Sequence, residues 1–186
     1  SGAGRGTLMS MAGELIYAFR IMRLPLLDAG GAAIGRIDDI VVVPGRSGEA
    51  PRVTGFVATS QRRRIFVNAN RVSALDTEGA RLRSWDVDLN PFKPRDGEHL
   101  LGATIIDSRV SGETVSDVAL RPTQTAREAG WEVAKVRLTR RGVLGRRATY
   151  RLVEWNDVSG LFAATTEMAA EAARLRDMHP SDVAAV

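Results

Sequence analysis

The sequence predicts a mainly β protein: two small tandem β-barrels followed by a C-terminal α-helix. Three observations carry this. Short apolar runs rich in Val, Ile and Phe are separated by turns containing Gly, Pro and Arg, the pattern of strands and hairpins. One such pattern is written twice, about 80 residues apart, which is too long a period for a solenoid and suits two related small domains. The last stretch, "TTEMAAEAARLRDMHPSDVAAV", changes to Ala, Glu, Leu and Arg, which favour helix.

Taken in order, residues 1–12 open with "SGAGRGTLMS", a tag-like or disordered start without periodicity. "ELIYAFRIMRLPLLD" has strand character through Ile16, Tyr17, Phe19 and Ile21, and Pro25 interrupts it. "DAGGAA" is turn chemistry, with Asp28, Gly30 and Gly31 at positions that tolerate positive φ. Ile34, Ile37, Ile40 and Val41–Val43 form a buried strand, and "PGRSGEAP" is a loop. "RVTGFVATS" sets Val53, Gly55 and Val57 against Phe56, "QRRR" is a basic turn, and "IFVNA" is the returning strand. "NRVSAL" is a short turn or helical step, and "ARLRSW" is one more strand. "DVDLNPFKPRDGEH", with Pro91 and Pro94, is a linker.

The pattern then restarts. Asp107 matches Asp28, Asp117 matches Asp39, Val115 matches Ile37 and Val118 matches Ile40. Val133 and Val136 match Val53 and Phe56, and Asn156, Val158, Ser159 and Leu161 match Asn70, Val72, Ser73 and Leu75. The expected division is a first barrel over 13–86, a linker over 87–98, a second barrel over 99–162 and a helical connector over 163–186. In that connector Thr165 or Thr166 caps the helix and Met168, Ala172 and Leu175 share a stripe. Pro180 stops it, and "PSDVAAV" reads as the first turn of another helix.

Composition excludes several function classes. Without cysteine there is no disulfide, thiolate catalysis or cysteine zinc site. No apolar run approaches the roughly 20 residues that cross a bilayer, and no signal peptide is visible. The expected location is therefore cytoplasmic, membrane association coming only through the full-length protein or a partner. The net charge of +4 permits an anionic partner without requiring one, and Lys93 and Lys135 are the only lysines among 26 basic residues. No nucleophile–base pair and no G-x-S-x-G are present, so no enzymatic activity is expected.

The combination of an apolar strand, Asp, a Gly-rich turn, "IGRIDDIVVV", a second strand pair and a closing "NRVSAL" resembles the PRC-barrel domain, the small β-barrel of the photosynthetic reaction centre H subunit and the ribosome maturation protein RimM. Both copies resemble it from about Leu24 to Leu161, although the second lacks the glycine matching Gly35, having Glu113 or Thr114 there. "RLRDMHPSDVA" resembles the opening of the N-domain of MgtE-type magnesium transporters. The resemblance implies the N-terminal part of an MgtE-N and CBS-domain protein: a non-catalytic regulatory or interaction module of a magnesium-transport-related protein. In that role the barrels are a scaffold for a helical Mg-sensing region beginning near His179. The alternative it leaves open is an RNA- or ribosome-associated adaptor similar to RimM. The implied partner is a protein or a second copy of the chain, with nucleic acid less favoured and no membrane insertion of these residues. No cofactor is expected, Mg²⁺ belonging to the full-length protein.

The residues with chemistry are few. Asp38, Asp39 and Asp117, with Asp28 and Asp107 nearby, are oxygen donors of the kind Mg²⁺ takes. The competing reading has Asp28 and Asp107 shaping turns while Asp39 and Asp117 bond backbone or arginine at strand edges. Arg62, Arg63 and Arg64 in one turn, and Arg140, Arg141, Arg146 and Arg147 at the corresponding place in the second copy, can grip an anionic partner through bidentate contacts. The competing reading is solvated hairpin tips whose charge blocks edge pairing. His99 falls in the linker and His179 between helical segments, both without visible catalytic partners. Trp85, Trp131 and Trp155 suit core or inter-barrel packing, with Phe92 of the linker between the two barrels.

Overall fold

The computed structural model of the chain describes residues 14–46, 48–84, 90–95, 97–124 and 129–162. The expected C-terminal helix, Trp85 and His179 lie outside them. Within them the protein is mainly β, a curled sheet with a few short helical turns. The first half holds β1 (Ile16–Tyr17), α1 (Ala18–Ile21), β2 (Pro25–Leu27), β3 (Ala33–Val43), β4 (Arg52–Ser60), β5 (Arg63–Asn68), a 3-10 turn (Ala69–Arg71), β6 (Val72–Asp76) and β7 (Gly79–Leu82). The second half holds β8 (His99–Leu100), a π-helical turn (Leu101–Ile105), β9 (Arg109–Val110), β10 (Glu113–Gln124), β11 (Ala129–Arg140), β12 (Thr149–Glu154) and a 3-10 turn (Trp155–Val158).

The repeat read in the sequence is present in the hydrogen-bond registers. Ile40 pairs with Phe56 and Val42 with Val53 in the β3–β4 hairpin. Val118 pairs with Val136 and Leu120 with Val133 in the β10–β11 hairpin. Both hairpins break register at the same two places, between Ile37 and Asp39 and between Val41 and Val42 in one, between Val115 and Asp117 and between Ala119 and Leu120 in the other. Such irregularities bend a strand and increase its twist, so each hairpin curls in the same way.

The halves are not two barrels side by side, because each lends its leading strand to the other. β1 pairs with β10 of the second half, Ile16 opposite Leu120 and Tyr17 opposite Ala119. β8 pairs with β3 of the first half, His99 opposite Val42 and Leu100 opposite Val41. These pairings are equivalent under the repeat. The helical turns that follow are locked by the strand aspartates. Asp39 is buried and its carboxylate accepts from the backbone N–H of Ile40 and Gly102 at 2.7 Å each and from Ala103 at 3.1 Å. Asp117, also buried, accepts from Phe19 N–H at 3.0 Å and from Val118 N–H at 2.8 Å. Each aspartate therefore satisfies orphan donors at the start of the other half's helical turn. Gly102 makes the first clamp possible, since a Cβ there would stand 2.7 Å from Met22 Sδ and 3.0 Å from the Asp39 carboxylate.

The exchange merges the two apolar interiors. Ile21, Ile37, Phe56, Leu101, Leu120 and Val136 are fully buried in one continuous cluster drawn from both halves. Trp131 of β11 meets Phe56 of β4 edge to face, ring centroids 5.9 Å apart, beside the junction where Glu132 pairs with Arg52. Full burial of an Ile, Leu or Phe contributes about 1.5–3 kcal/mol, and a barrel of one half alone would leave much of this surface wet.

Several sequence expectations are corrected. Only Ile16 and Tyr17 of the first predicted strand are extended; Phe19 and Ile21 lie in α1, whose start Asp117 holds. Pro25 does not interrupt a strand but begins β2, a first position where no ladder donor is needed. β4 does not alternate at its centre: Gly55 through Ala58 are all buried, as a strand covered on both faces must be. Asp28 and Asp107 are not equivalent. Asp28 follows β2 and caps a turn by accepting from Gly30 and Ala32, both at 2.9 Å, whereas Asp107 precedes β9 and adopts φ 75°. Of the glycines in that first turn, Gly31 has positive φ. Phe92 does not pack between the halves; its N–H donates to Arg64 O at 3.1 Å, next to a bridge between Ile65 and Pro91, so this part of the linker extends the sheet beside β5. His99 is not a linker residue but a buried residue of β8.

The clamps predict unequal costs. Asp39→Ala leaves more orphaned donors than Asp117→Ala, so it should be the more destabilising. Each should cost on the order of 1–3 kcal/mol in urea unfolding, the penalty for unsatisfied buried donors. Equal or negligible losses would contradict the clamp.

Candidate functional site

Three places combine chemistry with shape: the aspartate clamps, the basic hairpin tips, and a groove between two sheet edges.

The clamps use their carboxylates internally. Burial pushes the Asp39 carboxyl above its ordinary value; the N–H donors of Gly102, Ile40 and Ala103 and the charge of Arg64 pull it back only in part. Asp38, its neighbour in β3, faces the opposite side, is exposed and accepts a short hydrogen bond from the Thr59 hydroxyl. Asp39 and Asp117 thus occupy two separate clamps and Asp38 a third environment, so the three candidate Mg²⁺ contacts do not converge. No group of three or more His, Asp or Glu suited to a metal ion occurs among the described residues.

The basic turns are placed as the repeat implies. Gln61 and Arg62 form the two-residue turn of the β4–β5 hairpin, with φ 51° and 65°. Arg63 and Arg64 begin β5 and are exposed, Arg64 standing 5.8 Å over the Phe92 ring. Arg140 ends β11, and Arg141, Arg146 and Arg147 lie in the longer loop before β12, all exposed. The two tips do not join. β4 and β11 meet antiparallel near their starts, at Arg52 and Glu132, and run apart to Ser60 and Arg140. At about 3.3 Å per residue each tip lies roughly 25 Å along its strand from the junction, in opposite directions.

The groove lies between β1 and β6, the two ends of the main strand order, which approach without pairing. Its volume is about 770 Å³. Ile16 and Tyr17 line one side, Leu75 and Asp76 the other, and Pro122 and Trp131 the floor. A strand edge beside an apolar trough is the form that receives extended peptide segments.

Two arrangements are built by the tertiary structure alone. Arg151 grips buried Glu113 in a bidentate pair, Nε to Oε2 at 3.1 Å and Nη2 to Oε1 at 2.8 Å. The Arg151 hydrogen bonds hold the Glu113 carboxyl below its ordinary range. Strand register puts Glu113 where the first half has Gly35, so the missing glycine marks this pair. The second is His99, 1% exposed, edge to face with Phe162 at 6.3 Å. Burial lowers its pKa, and a hydrogen bond with the Phe162 backbone offsets this only in part.

With this geometry in view, comparison with known proteins gives one family. The Actinomycetes SH3 domain model matches residues 99–164, which is the second half from β8 onward and a minority of the chain. No curated protein matches the chain. The similarity agrees with the small curled β unit that the second half forms. No helix among the described residues is long and apolar enough to cross a membrane.

Two measurements follow. The folded pKa of His99 lies below the unfolded value, so on acidification the unfolded chain binds its proton first. Stability should therefore be full above about pH 6.5 and fall below it, until the folded pKa is passed. His99→Phe should flatten this slope in urea melts, and an unchanged slope would assign it to other groups. The Gln61–Arg62 turn places two side-chain-bearing residues at left-handed φ, where Asn-Gly is preferred. Gln61→Asn with Arg62→Gly should raise stability by about 1 kcal/mol or more, read as a higher midpoint.

Proposed function

We infer that this chain is a non-catalytic interaction module of a magnesium-transport-related protein. Its two PRC-barrel-like halves act as one rigid scaffold that carries, positions or dimerises a helical Mg-sensing region beginning near His179. The observation that carries this reading is the reciprocal clamp of Asp39 on Gly102 and Ala103 and of Asp117 on Phe19. A carrier needs its parts held in fixed relation, and a buried carboxylate bonded to the other half's backbone resists their separation. The SH3 name of the matching family supports an interaction role, and the groove beside β1 and β6 supplies a surface for a protein segment. The RNA-adaptor reading is weaker on two counts. The basic turns point to opposite ends rather than forming one stripe, and the arginine-rich loop before β12 holds no aromatic residue for base stacking between Arg140 and Thr149.

Titration calorimetry of the chain with Mg²⁺ tests the scaffold role. A scaffold should show no saturable micromolar site. A micromolar site lost on Asp39→Asn or Asp117→Asn would make the barrels themselves the sensor. In the intact protein, Asp117→Ala should shift the Mg²⁺ response by loosening the scaffold; an unchanged response in a measurably destabilised variant would remove the scaffold role.

A further inference from the structure

The loop between β11 and β12 is built differently from its counterpart in the first half. There the chain turns in two residues, Gln61 and Arg62, with no apolar side chain at the tip. Here residues 141–148 form a longer finger. Its tip is a tight turn in which Arg146 N–H donates to Val143 O at 3.3 Å, with Leu144 at φ 57° and Gly145 at φ 77°. A leucine at left-handed φ is disfavoured, yet this conformation holds it outward: Leu144 is 98% exposed and Val143 69%. The base of the finger is closed. A Cβ on Gly142 would stand 1.8 Å from Arg146 O, so the two arms touch there and the tip is preformed.

Charge surrounds this apolar tip. Arg140 and Arg141 stand on one arm and Arg146 and Arg147 on the other, and all four are exposed. Residues 133–153 contain no acidic residue. The other cations of the stretch are engaged: Lys135 with Glu154, Arg151 with Glu113, and Arg137 over the Tyr150 ring at 4.2 Å. The four finger arginines form no ion pair among the described residues; Arg140 alone lies within electrostatic reach of Glu113. Exposed Tyr150 and half-exposed Leu152 continue the apolar character along β12.

We propose that this finger docks the protein on an anionic lipid surface: Val143 and Leu144 enter the boundary between headgroups and acyl chains, and Arg140, Arg141, Arg146 and Arg147 contact lipid phosphates. A solvated hairpin tip has no use for two bare aliphatic side chains. A nucleic acid would leave them against phosphate or water, whereas a bilayer offers phosphate and hydrocarbon at the heights where the finger carries arginine and leucine. The contact requires no membrane-spanning segment. The first hairpin tip, basic but without an aliphatic apex, points away from the surface and serves as an internal control. The inference does not depend on the magnesium-linked role above.

Co-sedimentation of the whole chain with vesicles tests it. Binding is expected to vesicles of phosphatidylcholine mixed with phosphatidylglycerol, to be weak on phosphatidylcholine alone, and to fall as salt rises. Each finger arginine removed should weaken partitioning about fivefold, so Arg146→Glu with Arg147→Glu should weaken it more than 25-fold, about fivefold squared. Arg62→Glu with Arg63→Glu should change it little. Leu144→Gly separates lipid contact from folding, because it relieves the left-handed leucine: the melting temperature should rise while vesicle binding falls. Absence of binding to the anionic vesicles overturns the proposal. So does binding that survives Val143→Ser with Leu144→Ser, or equal loss on reversing the first tip. Binding to duplex RNA that is lost on arginine reversal but untouched by Leu144→Gly, with no vesicle binding, would assign the finger to nucleic acid instead.

Discussion

A carboxylate buried between two segments and hydrogen-bonded to the backbone of each holds this structure in its observed form. Asp39 and Asp117 sit just after equivalent irregularities in β3 and β10, where the strand bend turns a side chain toward the incoming helical turn. Each takes the N–H groups that would otherwise be orphaned at the start of that turn. Removing charge from water is costly, and it is tolerated here because donors are already aimed at the oxygens. The strand exchange of β1 and β8, the shared core and the Trp131–Phe56 contact all lie around this pair of clamps.

The exchange also decides what is presented to the outside. Because β4 and β11 meet near their starts and run antiparallel, the two hairpin tips are carried to opposite ends. Because the strand order stops at β1 and β6, the sheet curls without closing and leaves a trough floored by Trp131. One end of the molecule then carries a basic turn, the other a basic finger with an aliphatic apex. The two halves share their curled hairpins, but Glu113 stands where the first half has Gly35, and a finger stands where it has a two-residue turn.

Much of the fold was legible because strand signals are local. The Val and Ile runs, the basic turns and the matched pairs Ile40–Val118, Phe56–Val136 and Asn70–Asn156 needed only spacing and residue type. Where reading failed, a distant partner had overridden local preference. Ile16 through Ile21 read as a strand from β propensity, but Asp117, 98 residues away from Phe19, caps a helical turn there. The match of Asp28 with Asp107 failed because identity of residue and setting does not establish identity of register. His99 looked like linker since nothing in its immediate neighbours shows that Val42 and Phe162 will enclose it.

By itself the sequence determined a duplicated, mainly β chain without cysteine, with paired aspartates and with basic clusters at matching turns. These properties follow from composition, from periods of a few residues and from one pattern written twice about 80 residues apart. The tertiary structure decided what each aspartate holds, that the halves exchange their leading strands, and which basic turn carries an exposed apolar tip. Asp39 and Gly102 are 63 residues apart, and their contact forms only when two strands from different halves pair. No local pattern encodes that pairing, because its free energy comes from surface that both halves bury together.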